Sequence, residues 1–383
     1  MFIIEEPYIS ELMLKTLEKN QIAVLDTELA RSYGYNLNYV KEEKTEEPVI
    51  YSNSENAINY VLKTYPKSDL AKIINICKDK YEFRNRLQPL YPDFFFEEIL
   101  LEDMEDYDIA ELPIPFIIKP TVGFLSMGGH KVTSYDEWEK VINKIKEESK
   151  EFGKLFPKDV LNSSGFIMEE IIEGKEYAVD AYYNNSGKAV ILNIFEHPFV
   201  NSADVSDRAY ITSADIIRSN LANFQTILDN IGETLSIKNF PIHIEFRITK
   251  SGKAIPIEIN PMRFAGWCTT DLAYYAYGIN IYEYFYKQQI PDWSKILQDR
   301  NNEIYYFAMA NMPDELSCEQ IKLFDYDLFR QNFSDIMEFR EIDYHTKPMF
   351  AILFGKTNKD SEITKILQLD LKNYIEVNYD TKM

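Results

Sequence analysis

Cysteine is scarce: three residues in 383 (Cys77, Cys268 and Cys318), far apart and with no Cys-x-x-Cys pair. That argues against a disulfide framework and a thiolate zinc site, and it fits a reducing, cytoplasmic setting. Positive charge is also short. The 41 Lys plus Arg stand against 62 Asp plus Glu, a net charge of −21. A chain this acidic is repelled by nucleic acid and by anionic membranes unless a basic patch intervenes, and no such patch is present. No apolar run approaches the ~18–20 residues of a membrane helix. The start, Met1-Phe2-Ile3-Ile4-Glu5-Glu6, lacks the basic region of a signal peptide. Neither a nucleic-acid nor a membrane partner is therefore expected. There is no internal repeat and no low-complexity tract. What is present is a globular composition, 45% hydrophobic and 27% charged, long enough for two or three domains.

The first hundred residues alternate short apolar runs (Phe2–Ile4, Ile22–Leu25, Val49–Tyr51) with helical spacings such as Ile9, Leu12, Leu14 and Leu17. This pattern predicts βα units and a small parallel sheet. No Gly-x-Gly-x-x-Gly follows the first strand, so a dinucleotide fingerprint is missing. Residues 69–88 read as one helix containing Asp79-Lys80, stopped by Pro89 and Pro92. An acidic stretch, Glu97–Glu111, leads to Leu112-Pro113-Ile114-Pro115, a plausible boundary. Phe116–Lys119 is a strand ending in lysine, followed by the loop Gly123-Phe124-Leu125-Ser126-Met127-Gly128-Gly129. That loop is not a P-loop, because Gly123-x4-Gly128 is not followed by Lys-Ser/Thr. Ser134 and Glu137 form a capping-box pattern before a charged helix. Glu176–Tyr183 and Ala189–Phe195 flank a hairpin signal at Asn184–Gly187.

The most informative stretch is Pro241–Pro261. Ile242, Ile244, Phe246 and Ile248 alternate with His243, Glu245 and Arg247; Ile255, Ile257 and Ile259 alternate with Pro256, Glu258 and Asn260. A two-residue loop at Ser251-Gly252 pairs Ile244 with Ile259, Phe246 with Ile257 and Ile248 with Ile255. It also sets Glu245 opposite Glu258 and His243 opposite Asn260. Opposed like charges are destabilising, so this pair asks for a cation. Carboxylate and amide oxygens suit Mg²⁺, completed by phosphate oxygens and water. The plainer reading, a solvated face with Glu245 neutralised by Arg247 or His243, stays open.

Three further features decide between these readings: Lys119 before the Gly-containing loop, the segment Met168-Glu169-Glu170-Ile171-Ile172-Glu173-Gly174-Lys175-Glu176, and Asp79-Lys80 upstream. In this order, with Glu245, Glu258 and Asn260 downstream, the chain resembles the ATP-grasp superfamily over about residues 75–285. The resemblance implies an α/β fold with α+β lobes, preceded by a Rossmann-like pre-ATP-grasp domain. The expected units are an N-terminal βα domain (1–111), a lid (112–172), a catalytic subdomain (173–300) and a C-terminal α/β extension (301–383).

The resemblance also implies roles. Lys80 and Lys119 would hold ATP phosphates, Lys119 also serving catalysis, and Ser126, Gly128 and Gly129 would close over them, although Phe124, Leu125 and Met127 make this loop bulkier than the family's glycine-rich versions. Glu169, Glu170, Ile171 and Ile172 would meet the adenine edge, and Glu176 the ribose hydroxyls. Glu245, Glu258 and Asn260 would bind Mg²⁺, with Glu258 bridging two ions and Mn²⁺ an alternative metal. Arg263 would serve catalysis near the γ-phosphate, although Met262 lengthens the family's Asn-Pro-Arg spacing by one. Arg208 is a second candidate for phosphate or substrate carboxylate, against the plainer reading of a surface ion pair. His197 and His243 read more readily as structural imidazoles than as acid–base groups.

The implied activity is ligation: MgATP converts a small-molecule carboxylate to an acyl-phosphate, which an amine or similar nucleophile attacks. A non-catalytic ATP-binding module on the same fold, and an acidic interaction protein without nucleotide, are the alternatives. The identity of the substrates and the oligomeric state are not readable from these residues.

Overall fold

The computed structural model describes every residue except 43, 123–128, 153–164, 201–207, 302 and 379–383. Its N-terminal unit is a four-stranded parallel sheet of β1 (Phe2–Ile3), β2 (Ala23–Leu25), β3 (Asn38–Val40) and β4 (Tyr51–Ser52), in the order β3-β2-β1-β4. Phe2, Ile3 and Val24 are almost fully buried, as the strands of a covered parallel sheet should be. Ser10 caps the helix Glu11–Asn20 by accepting from the Leu12 N–H at 3.1 Å, and that helix buries Met13, Leu14 and Leu17.

The single helix expected over 69–88 is two, Asp69–Lys78 and Lys80–Leu87. Asp79 takes an extended conformation between them, and its Oδ1 accepts from the Glu82 N–H at 3.0 Å, restarting the helix. Aspartate favours this because its side chain satisfies an orphan N–H of the first turn. The break frees the Lys80 N–H to bond the Thr121 carbonyl at 2.7 Å.

A second, antiparallel sheet holds β5 (Phe96–Leu100), β6 (Phe116–Pro120), β7 (His130–Val132) and β8 (Gly165–Glu170), in the order β5-β8-β6-β7. The helix Trp138–Phe152 covers it, and Phe116, Ile118, Trp138, Ile142 and Met168 share its separate core. Strand β5 lies upstream of residue 112, so this sheet recruits part of the acidic stretch. Glu137 accepts from the Thr133 N–H at 2.9 Å, and Ser134 makes no side-chain cap bond, so the expected capping box is not made.

The largest sheet has eight antiparallel strands: β9 (Lys175–Tyr183), β10 (Ala189–His197), β11 (Ala209–Ser213), β12 (Phe240–Ile248), β13 (Ala254–Pro261), β14 (Ile304–Asn311), β16 (Ile336–Glu341) and β17 (Met349–Thr357). Their order is β13-β12-β9-β10-β11-β14-β17-β16, so the C-terminal region extends the same sheet; β15 (Ile321–Phe324) pairs separately with β18 (Ile375–Val377). The helix Ala214–Leu235, capped by Ser213, packs on β10 and buries Ile217, Phe224, Leu228 and Ile231. One apolar core joins this sheet to the N-terminal unit, and the Ser52 N–H bonds the Met262 carbonyl at 2.9 Å between them. Among the described residues no helix is long and apolar enough to cross a membrane.

Candidate active site

The site starts from the β12–β13 hairpin. Its turn has three residues rather than two: the Thr249 N–H bonds the Lys253 carbonyl and the Gly252 N–H the Thr249 carbonyl, both at 2.9 Å, with Gly252 at φ +83°. Near the turn, Phe246 therefore faces Pro256 and Ile248 faces Ala254, not the expected isoleucines. A bulge after Glu245 then takes up one extra residue on β13. The two offsets cancel. Glu245 stands opposite Glu258, His243 opposite Asn260 and Ile244 opposite Ile259, as the alternation predicts.

Among the described residues, each member of the acid pair has only a distant cation. Lys80 Nζ lies 3.7 Å from Glu258 Oε1, and His243 Nε2 lies 3.6 Å from Glu245 Oε1. The Glu245 and Glu258 side chains keep 22% and 37% of their exposure, while Asn260 is buried. Burial opposes charge on His243, but its bonds to Asp180 and Glu245 outweigh that and raise the imidazole to about 9. Burial lowers Lys80 from the ordinary lysine value; Glu258 opposes the shift and Lys119 adds to it. No group of three or more His, Cys, Asp or Glu among the described residues could hold a metal by protein ligands alone. Two carboxylates and an amide are a partial donor set, of the kind that Mg²⁺ completes with water and phosphate.

The strand β8 carries a second set. Glu169 is 3% exposed; its Oε1 takes Lys119 Nζ and its Oε2 takes Arg84 Nε at 2.8 Å. Burial pushes this carboxyl up, but Arg84 and Lys119 pull it down to about 2. Arg84 also donates to the Pro256 carbonyl at 2.6 Å. Glu169 is thus bound up with two cations, and its side chain fixes Lys119 instead of offering a free acceptor at the strand edge. Sequence reading missed Arg84, although it follows Lys80 by four residues and shares its helix face. Glu170 Oε1 accepts from the Phe95 N–H at 3.0 Å.

Between β8 and β9 the chain passes through Ile171, Ile172 and Gly174. Gly174 has φ +155°, and a Cβ there would sit 2.0 Å from the Ile248 carbonyl oxygen, so only glycine fits. Glu176 faces Arg247 on one neighbouring strand and His197 on the other. Arg247 grips its Oε2 at 2.9 and 3.0 Å, and His197 Nδ1 lies 2.9 Å from its Oε1. Both oxygens expected at the ribose therefore already have protein partners, and the carboxyl is lowered by them against the effect of burial.

After Asn260 the chain turns into residues 262–271. Arg263 Nε lies 3.6 Å from Glu55 Oε1, and Lys78 Nζ is 2.6 Å from the other Glu55 oxygen. Asp271 gathers Ser10 Oγ, Tyr282 OH (2.8 Å) and Arg340 Nη2 (2.8 Å). Arg340 is 9% exposed, and its Nη1 has no hydrogen-bond partner among the described residues. Neither Asp271 nor Arg340 stood out in the sequence, because they meet from positions 69 residues apart.

Arg208 is placed elsewhere. Its Nη1 donates to the carbonyls of Leu367 (2.5 Å) and Leu369 (3.1 Å), at the end of the helix Asp360–Leu367. These bonds make it a helix-terminal cation. Ser126 and Gly128 lie outside the described residues, and Gly129 stands just before β7, where a Cβ would meet the Ile117 side chain at 2.6 Å.

Comparison with known proteins bears on the fold. Residues 112–271 match the family model of the ATP-grasp domain. No curated protein sequence matches the chain. Among solved structures, L-amino acid ligase from Bacillus licheniformis aligns at TM-score 0.66 and 14% identity, covering 99% of this chain and 98% of that one. N5-carboxyaminoimidazole ribonucleotide synthetase from Thermotoga maritima aligns at TM-score 0.63 and 16% identity, covering 98% of both chains. Biotin carboxylase from Campylobacter jejuni, in a complex with β-γ-ATP, aligns at TM-score 0.65 and 12% identity, covering 98% of this chain and 91% of that one. The chain thus shares the α/β fold of these structures, and its residues 112–271 match an ATP-grasp domain.

Proposed function

We propose that the chain is an ATP-dependent ligase. It activates a small-molecule carboxylate as an acyl-phosphate for attack by an amine or similar nucleophile, and releases ADP and phosphate. The observation that carries this reading is the register of β12 and β13, which opposes Glu245 and Glu258 with Asn260 on the same face and Lys80 beside Glu258. The names of the aligned structures, an L-amino acid ligase and a carboxylase complexed with an ATP analogue, support the same reaction class.

Mg²⁺ held by Glu245, Glu258 and Asn260 would neutralise charge on the transferring phosphoryl group. Glu258 bridging two ions, and Mn²⁺ as a substitute, belong to the same proposal. Lys80 and Lys119 then hold phosphate oxygens, with Glu169 and Arg84 fixing Lys119 in place. Ser126, Gly128 and Gly129 cover the phosphates, the backbone of Glu170, Ile171 and Ile172 meets adenine, and Glu176 faces the ribose. Arg263 lies at the substrate side, and Arg340, with one nitrogen unpartnered among the described residues, is the cation offered to a substrate carboxylate there. Closure of the small sheet over this face keeps water from the acyl-phosphate.

A coupled ADP-release assay across carboxylate and amine pairs tests the proposal, with Glu258→Gln as control. The expected result is Mg²⁺-dependent ADP release with a matching pair and its loss in the variant. Activity unchanged in Glu258→Gln would sink the metal assignment. MgATP binding with no ADP release for any pair would favour the non-catalytic module, and no rise in melting temperature with MgATP would favour an interaction protein.

A further inference from the structure

Asp180 stands inside an apolar strand, between Val179 and Ala181, with no exposure to solvent. A buried carboxylate is costly unless donors surround it. Its donors come from two separate segments. His243 Nδ1, directly opposite on β12, lies 2.8 Å from Oδ1; the Ala265 N–H donates to the same oxygen at 2.8 Å, and Thr270 Oγ1 donates to Oδ2 at 2.7 Å. Asp180 therefore clasps the segment 262–271 at two points five residues apart.

That segment is strained. Met262 (φ +65°), Trp267 (φ +50°) and Cys268 (φ +63°) are non-glycine residues in left-handed conformations. Such residues persist only where the surroundings over-determine them. The segment also carries Arg263 and ends at Asp271, the partner of Arg340. On its other edge the His243 ring approaches Glu245, Nε2 to Oε1 at 3.6 Å. One imidazole thus spans the acid pair and the clasp.

We infer that Asp180 and His243 are positioning residues that couple the Glu245–Glu258 pair to the segment 262–271, so that a divalent cation seated on the pair tightens the segment presenting Arg263. The inference rests on the proposed reading of Glu245 as a metal ligand. The mechanical content is simple: when Glu245 turns to a cation, its contact with Nε2 changes, and the ring carries that change to the carboxylate that holds Ala265 and Thr270.

Hydrogen exchange on the full chain tests it, using MgADP as the probe and ADP with EDTA as the metal-free arm, alongside direct measurement of ADP binding. In the wild type, saturating MgADP should slow exchange across 262–271 at least fivefold, and ADP with EDTA should not. His243→Gln should bind MgADP yet lose that slowing. Thr270→Val should lose at least half of it, and Thr270→Ser, which keeps the hydroxyl, should restore it. A merely structural role would speed exchange equally with and without MgADP, and that result overturns the inference, as does full slowing in His243→Gln. If His243→Gln fails to fold, the contrast between Thr270→Val and Thr270→Ser decides: full slowing in Thr270→Val overturns it. No binding of MgADP to the wild type would bring down the metal reading and the inference with it. Binding with no change in the segment would bring down the inference alone.

Discussion

The carboxylates of the hairpin and those of strands β8 and β9 are built on opposite principles. Glu169 and Glu176 are held at hydrogen-bond distance by Arg84 and Lys119, and by Arg247 and His197. Glu245 and Glu258 keep partial exposure, face each other, and reach their nearest cations only at 3.6 and 3.7 Å. A satisfied acid fixes the groups around it, as Glu169 fixes Lys119. An opposed, half-exposed pair retains unspent affinity for a cation, because mutual repulsion is relieved only when a positive charge arrives. The contrast sets acids already paired with cations apart from the pair proposed to take up Mg²⁺.

Breaking the satisfied set should cost the most. Glu169→Gln leaves Arg84 and Lys119 buried with one charge too few opposite them, and is expected to lower unfolding free energy by about 3–5 kcal/mol in a urea titration. The same carboxyl sharpens the contrast through pH. Its folded value of about 2 lies below the ordinary 4.5, so its stabilisation is present above pH 4.5 and is lost as pH falls toward 2. Acid unfolding followed by circular dichroism should show a shallower loss of stability over that window in Glu169→Gln than in the wild type.

The unsatisfied pair should behave in reverse. Glu258→Gln is expected to reduce Mg²⁺-dependent ADP release on the order of 100-fold or more, while the melting temperature without metal stays level or rises slightly, since a like-charge contact is removed. A large drop in metal-free stability would place Glu258 with the satisfied acids. Gly174→Ala tests the linker between the two regions. The added Cβ would collide with the Ile248 carbonyl, and a loss of about 1–3 kcal/mol is expected by thermal unfolding. The smallest effect belongs to Arg208→Ala. Loss of its bonds to the Leu367 and Leu369 carbonyls should cost about 1 kcal/mol and leave the kinetics of ADP release unchanged.

Much of this layout is legible in the residues. Period-two alternation over 242–248 and 255–259 marks two strands, but not the three-residue turn or the bulge that together bring Glu245 opposite Glu258. The short apolar runs and capping serines of the first hundred residues mark βα units, although β3 (Asn38-Tyr39-Val40) is too polar to announce itself. The helix break at Asp79 was hidden because the apolar spacing continues across it, and the bond that rewards the break, from Lys80 to Thr121, is made 41 residues downstream. Arg208 looked like an anion contact because a lone arginine in a polar segment carries no sign of which carbonyls it will meet.

The sequence by itself determined the two strands and their pleat, because side-chain alternation is a local property of the chain; the pairing of Glu245 with Glu258 came from a three-residue turn offset by a bulge on β13. Only the tertiary structure decided which charges are already spent: Arg84 on Glu169, Arg247 on Glu176, Arg340 on Asp271, Asp180 on the segment that bears Arg263. Those pairings depend on distance and burial between residues 69 to 90 positions apart, and Coulomb and desolvation energies are set by that geometry, which composition and spacing do not encode.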